Sequence, residues 1–211
     1  MGVSIVFPHA INPENDRVLA LNQQMIKENT AGEFEILTLG NTMRSDLVYA
    51  GWNYLISVAK FEHVLWFNTD LLLGPGWDKP IEELMKTYDW LSFRVAECGA
   101  IGVANTMIEK DFGRTATDFR RQEFEDYVKD QIESYPESEG GWVWYCPSIL
   151  KKSKFLELGG FMTEPPFPNP NDINFKERAI KAGWKFGISN HSWAAHLQRG
   201  HIHQGLQQER A

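Results

Sequence analysis

Short apolar runs alternate with amphipathic stretches along the first half of the chain. Val3 to Phe7 is an apolar, β-branched run closed by Pro8, which reads as a buried strand ending in a loop. Asn12-Pro13-Glu14-Asn15 supplies helix-start chemistry, and Val18, Leu21, Met25 and Ile26 recur at helical spacing until Thr30-Ala31-Gly32. Phe34 to Leu39 predicts a second strand, closed by Gly40-Asn41-Thr42. Ser45 can cap a helix whose Val48, Trp52, Leu55, Ile56 and Ala59 form the clearest amphipathic stripe in the chain. A third apolar run begins at His63 and stops on Asn68-Thr69-Asp70. Gly74-Pro75-Gly76 then turns the chain toward a helix over Pro80 to Tyr88, with Ile81, Leu84 and Met85 as its buried face, and Trp90 to Val95 reads as a fourth strand.

This β-α-β-α-β order implies an α/β fold with a mostly parallel, Rossmann-like sheet, right-handed crossovers and flanking helices. The carboxyl ends of the first three strands should line one edge, bringing Pro8 to Ala10, Gly40 to Thr42 and Asn68 to Asp70 together. Ligands of open α/β sheets bind outside that edge, so Asp70 is well placed to meet one. Periodicity weakens after residue 95. Gly99 to Gly113 is poorly patterned, and Thr117 to Ser134 predicts a charged helix, so the middle third reads as an insertion on the sheet rather than part of it. Trp142 to Cys146 predicts another strand, Lys151 to Leu158 a short helix ended by Gly159-Gly160, and Asn171 to Ala182 a helix stopped by Gly183. Lys185 to Ser189 reads as a last short strand.

With 211 residues the chain suits a single domain with one well-buried core. Eight Trp and thirteen Phe make it aromatic-rich, and such rings mostly build a core. A formal charge of −7 offers no global field for nucleic acid or an anionic membrane, so a polyanion would need a local basic patch. Cys98 and Cys146 fit neither a disulfide framework nor a zinc spacing, and read as two buried thiols in a reducing compartment. Met1 to Pro8 has no basic start and too short an apolar run for a signal peptide or membrane span, so the expected location is cytoplasmic, with no membrane anchor.

Four segments, taken in order, resemble the family-2-like inverting glycosyltransferases of the GT-A fold. They are Val3-Ser4-Ile5-Val6-Phe7-Pro8 as the opening strand, Val64 to Asp70 where that family has its Asp-x-Asp, Phe155 to Phe161 with its Gly-Gly-Phe, and Asn171-Asp172 with the distal His196. The resemblance spans almost the whole chain and implies a single GT-A-like catalytic domain over residues 1–211. Residues 1–95 would form the nucleotide-sugar-binding half and residues 96–211 the acceptor-binding half. It implies a hexosyl- or pentosyltransferase that moves a sugar from a nucleotide-diphosphate sugar, a UDP-sugar being the first guess, onto an acceptor hydroxyl.

The chemistry accounts for the residue types. A departing nucleotide diphosphate gains negative charge, which a divalent cation neutralises without moving protons. Hard oxygen ligands suit Mg²⁺ or Mn²⁺, and one or two protein ligands suffice when phosphate and water complete the shell. The resemblance makes Asp70 the metal ligand, and His196 a further ligand that would favour Mn²⁺. Residues 68 and 70 would share one side of an extended segment, so Asn68, which replaces an acid, would face the ribose or the metal. Read alone, Asp70 is equally a turn or cap residue. Inversion needs a base for the acceptor hydroxyl, and Asp172 aligns with it, although an Asp at a helix start is also a good N-cap. Asn171, where relatives carry an acid, can bind a sugar hydroxyl. Pro8, His9, Ala10 and Asn41 would wall the nucleotide, with Arg44 or Asn53 near the ribose or phosphates.

Trp142 and Trp144 are the aromatic candidates for the acceptor, which could be a glycan, a protein, a small molecule or a hydroxylated base in DNA. Two other readings remain. Asn68 and Asn171 allow a catalytically degenerate relative that only binds nucleotide or glycan. A sugar-phosphate nucleotidyltransferase would want a Gly-rich basic loop after the first strand, and Pro8-His9-Ala10-Ile11-Asn12 is not one.

Overall fold

The computed structural model describes residues 1–11, 13–41, 47–98, 107–141, 146–163 and 171–197. Its first strand, β1 (Gly2–Ala10), is followed by helix α1 (Pro13–Asn29) and strand β2 (Glu33–Asn41). Pro13 stands at the first helical position, where its missing N–H costs nothing, and Glu14 and Asp16 in the first turn complement the helix dipole. Helix α2 (Leu47–Val58) leads to β3 (His63–Trp66), then to a short β4 (Leu71–Leu73) and helix α3 (Ile81–Thr87). Strand β5 (Trp90–Glu97) is buried at every position. Beyond it come β6 (Met107–Glu109), α4 (Arg121–Ser134), β7 (Ser138–Gly140), β8 (Ser148–Lys151), α5 (Lys152–Glu157), α6 (Asn171–Lys181) and β9 (Phe186–His196).

All nine described strands form one mixed, mostly parallel sheet in the order β2-β1-β3-β8-β5-β9-β4, with β6 beside β5 and β7 beside β9. The two longest pairings, β1 with β2 and β5 with β9, are parallel. Strand β8 runs antiparallel between β3 and β5, so a segment from the second half of the chain joins strands of the first. Alternating side chains feed two cores. Ile5, Phe7, Leu65 and Phe93 pack beneath α1 and α3 with Ile26, Ile81 and Met85. Val6, Val64, Trp66 and Trp90 meet Trp52 and Ile56 of α2, Phe155 of α5 and Phe175 of α6 on the opposite face. Trp52, Trp66, Trp77, Trp90, Trp184 and Trp193 are all buried, so these indoles build core.

The middle third is not an insertion on the sheet. Strands β6 and β7 extend it, and Phe124 and Val128 of α4 make a third core with Phe112 and Trp193. Three-residue strands carry too little periodicity to be read from sequence. The last strand also runs well past Ser189. Its pairing with β5 shifts register, Phe93 opposing Ser189 and Arg94 opposing Trp193, so residues 190–192 form a bulge. The polar run Asn190-His191-Ser192 conceals the strand, and the bulge satisfies it. Asn190 accepts from Arg94 Nε at 2.8 Å, and Ser192 donates to the Trp77 carbonyl at 2.6 Å. No described helix is long and apolar enough to cross a membrane.

Candidate active site

Asp70 owes its position to the strands around it and to the helix beneath. Leu71 pairs with His196, and the N–H of Leu197 donates to the Asp70 carbonyl at 3.0 Å. Helix α1 supplies the support. Asn22 and Asn29 lie two turns apart on its buried face, among Val18, Met25 and Ile26. The Asn22 amide donates to the carbonyls of Thr69 and Leu71, both at 2.7 Å, and the Asn29 amide donates to the Leu73 carbonyl at 2.8 Å. Thr69 Oγ1 donates to the Pro8 carbonyl at 3.1 Å, tying this segment to the end of β1. The β1, β2 and β3 ends thus meet as expected, with His9 opposite Gly40 and Ala10 opposite Asn41.

Residues 68 to 71 turn instead of extending, since the Leu71 N–H donates to the Asn68 carbonyl at 3.2 Å. The period-two argument that put Asn68 and Asp70 on one side therefore does not apply. Asn68 is exposed, and Asp70 is partly buried. What faces Asp70 is His196, whose Nε2 lies 3.4 Å from Asp70 Oδ2. The other ring nitrogen, Nδ1, is 2.9 Å from each carboxylate oxygen of Glu97. Three strand ends create this row. Asp70 precedes β4, while Glu97 and His196 are paired last residues of the parallel β5 and β9. Burial by itself would lower the His196 pKa, but the carboxylates of Asp70 and Glu97 outweigh it and raise it to about 10. The two acidic side chains thus favour the protonated ring when no cation is bound.

Sequence reading missed Glu97. The signal was present, because a strand rich in apolar residues ends there on its one carboxylate, which proves only 2% exposed. Among the described residues no group of three or more His, Cys, Asp and Glu forms a ready metal cage. Asp70 and His196 still suit a divalent ion that shares its shell with a diphosphate. Ligands at right angles on an octahedral ion with bonds of about 2.1 Å lie roughly 3 Å apart, close to the observed 3.4 Å. The donor set, one carboxylate oxygen and one imidazole nitrogen, fits Mn²⁺.

Asp172 lies in the first turn of α6 and is 4% exposed, and its Oδ1 finds no hydrogen-bond partner among the described residues. The Tyr49 hydroxyl of α2 latches it by accepting from the Asp172 N–H and donating to its carboxylate. Burial and the Asp172 charge push the Tyr49 pKa up to about 12, so the phenol keeps its proton. Cys146, which takes a hydrogen bond from the Asn68 N–H, feels the charges of both Asp70 and Asp172. Burial, aided by those charges, raises its pKa well above the usual thiol range. Its thiol therefore lies within electrostatic range of both carboxylates.

Other expected site residues have different surroundings. Asn53 uses its amide as a clamp, donating to the Phe161 carbonyl at 2.8 Å and accepting from the Phe161 N–H at 2.9 Å. This fixes the turn at Gly160, where φ is +67°. His9 is 4% exposed and its Nε2 lies 2.7 Å from Asp16 Oδ1, joining the end of β1 to α1. Pro8 is buried beside it, and the backbones of Ala10, Asn41 and Asn171 close β1, close β2 and open α6. Arg44, Trp142 and Trp144 lie outside the described residues.

No family model and no curated protein matches the sequence. Solved structures do match the fold. One is GalNAc-T7, crystallised with UDP, GalNAc and Mn²⁺, with a TM-score of 0.64 at 8% identity over 93% of this chain and 44% of that one. Another is residues 1–349 of TarS from S. aureus, with a TM-score of 0.57 at 12% identity over 92% of this chain and 60% of that one. This chain therefore spans under half of the first neighbour and three fifths of the second. At such identities the likeness speaks to architecture, and that architecture is the GT-A glycosyltransferase fold.

Proposed function

We propose that this chain is a divalent-metal-dependent, inverting glycosyltransferase that moves a sugar from a nucleotide-diphosphate sugar to an acceptor hydroxyl. The observation that carries the reading is the Asp70–His196 pair at the sheet edge, together with the buried Asp172 at the start of α6, both carboxylates bearing electrostatically on the Cys146 thiol. The UDP and Mn²⁺ of the GalNAc-T7 neighbour support a UDP-sugar as the first donor to try and Mn²⁺ as the first metal. Both cysteines are free, which suits work in the reducing cytoplasm.

Asp70 and His196 would hold the metal. When bound, it neutralises charge on the leaving diphosphate. Pro8, His9 and the end of β2 would wall the nucleotide. Asp172 takes the acceptor proton on Oδ1 as the hydroxyl oxygen attacks the anomeric carbon and the bond to the diphosphate breaks. Tyr49 keeps the carboxylate from turning away by bonding its other side. The protonated Cys146 adds no further negative charge near the two acids.

The test is donor hydrolysis and transfer across a panel of nucleotide sugars with Mn²⁺, for the wild type, Asp70→Ala and Asp172→Asn. Asp70→Ala should lose metal-stimulated donor binding, while Asp172→Asn should bind donor and fail to transfer. Proton NMR of the product should show the anomeric configuration opposite to the donor's. Full transfer by Asp172→Asn would remove the base assignment. Tight nucleotide binding with no turnover of any donor would favour the binding-only reading that Asn68 raises.

A further inference from the structure

Glu97 is the one carboxylate of β5 and its last residue, and it is almost wholly removed from water. A buried carboxylate is costly unless it is paired and hydrogen-bonded. Both Glu97 carboxylate oxygens lie 2.9 Å from Nδ1 of His196, while Nε2 of the same ring lies 3.4 Å from Asp70 Oδ2. The placement is built into the sheet. The parallel register sets Glu97 directly beside His196, and the antiparallel register sets Leu71, the neighbour of Asp70, on the other side.

We propose that Glu97 is a positioning residue for the cation site, holding His196 so that Nε2 is the nitrogen presented beside Asp70 to a divalent metal. The inference rests on the metal-dependent reading above and goes beyond it by assigning a role to a residue outside the ligand pair. The closer carboxylate is Glu97, at 2.9 Å against 3.4 Å for Asp70, so it favours the tautomer with the proton on Nδ1 and leaves Nε2 for a cation. A carboxylate on the far nitrogen also makes the imidazole a better donor and freezes its rotation. Asp70, the ring and Glu97 then form a line that is organised before any ion arrives. A merely structural charge partner would affect the stability of the metal-free protein. A positioning residue must also change how tightly the metal is held.

The experiment titrates full-length protein, in saturating UDP, with Mn²⁺ and follows the free-ion EPR signal. Thermal unfolding in EDTA runs in parallel. Partners of this kind are worth about 10–100-fold in metal affinity, so Glu97→Ala should bind Mn²⁺ that much more weakly than wild type. Glu97→Gln keeps an acceptor for the Nδ1 proton but loses the charge, and should fall between, about fivefold weaker. Donor hydrolysis should show the same order in the KM for Mn²⁺, with kcat at saturating Mn²⁺ little changed. Should Glu97→Ala melt in EDTA before it can be titrated, Glu97→Gln decides. Wild-type Mn²⁺ affinity in Glu97→Gln, with wild type itself binding, overturns the positioning role and leaves the metal-dependent reading standing. Failure of the wild type to bind Mn²⁺ with any nucleotide diphosphate overturns both.

Discussion

Replacing Asn22 by Leu tests whether α1 holds the Asp70 segment in place. Asn22 is fully buried and its amide donates to two carbonyls, those of Thr69 and Leu71, which flank Asp70. Leucine matches the shape but leaves both carbonyls short of a donor. An unmet buried polar group costs about 1–3 kcal/mol, and the added apolar contact returns part of it, so the expected loss is roughly 2–4 kcal/mol. Against a total stability of about 5–15 kcal/mol this is a large but survivable fraction. Urea unfolding followed by the fluorescence of the buried tryptophans measures it, as a drop in midpoint at unchanged slope. Asn29→Leu is the control, because it deprives one carbonyl, that of Leu73, at the far end of β4. Asn29→Leu should lose about 1–3 kcal/mol and keep wild-type Mn²⁺ affinity, whereas Asn22→Leu should lose both stability and affinity. A stability loss below about 1 kcal/mol for Asn22→Leu, or equal Mn²⁺ weakening in the two variants, would refute the reasoning.

Gly160→Ala should destabilise by about 1–3 kcal/mol, because φ is +67° and the new Cβ would meet Asn53 Oδ1 at 2.7 Å; Gly159→Ala, with open space around it, should cost less in the same thermal melt. Asp89 accepts from the Lys185 N–H and from Lys151 and Lys154, and although burial would raise its pKa these contacts hold it below the usual 3.8. Its folded pKa is depressed, so its stabilisation is present above the unfolded value and is lost as pH falls through the folded one. Urea midpoints measured below about pH 4 should therefore fall less steeply for Asp89→Asn than for wild type. Tyr49→Phe should bind donor normally and lose about tenfold in kcat, since a hydrogen bond to a charged group is worth ~1.5–3 kcal/mol and this one steadies Asp172. Steady-state kinetics with separate KM and kcat check it.

The sequence by itself determined the frame. Apolar runs at Val3 to Phe7, Phe34 to Leu39 and His63 to Phe67, separated by helical stripes, had one economical solution, and the parallel strand ends met where that solution required. This much was legible because strand and helix periodicities are local, set by which side chains must leave water on the same face. Asp70 could be picked out for the same reason, at the end of a patterned strand, whereas Asp172 and His196 were singled out by the family resemblance. What they do for one another was decided only in three dimensions. Asn22 and Asn29 look like polar interruptions of α1 until β4 is found beneath them. Asn53 looks like a free amide until the Gly160 turn closes on it. Glu97 and His196 lie 99 residues apart, and only the register of β5 against β9, shifted by the bulge at residues 190–192, makes them neighbours. The physical reason is the same each time. A buried polar group is defined by its partner, and the partner is supplied by the sheet's strand order, which no local pattern encodes.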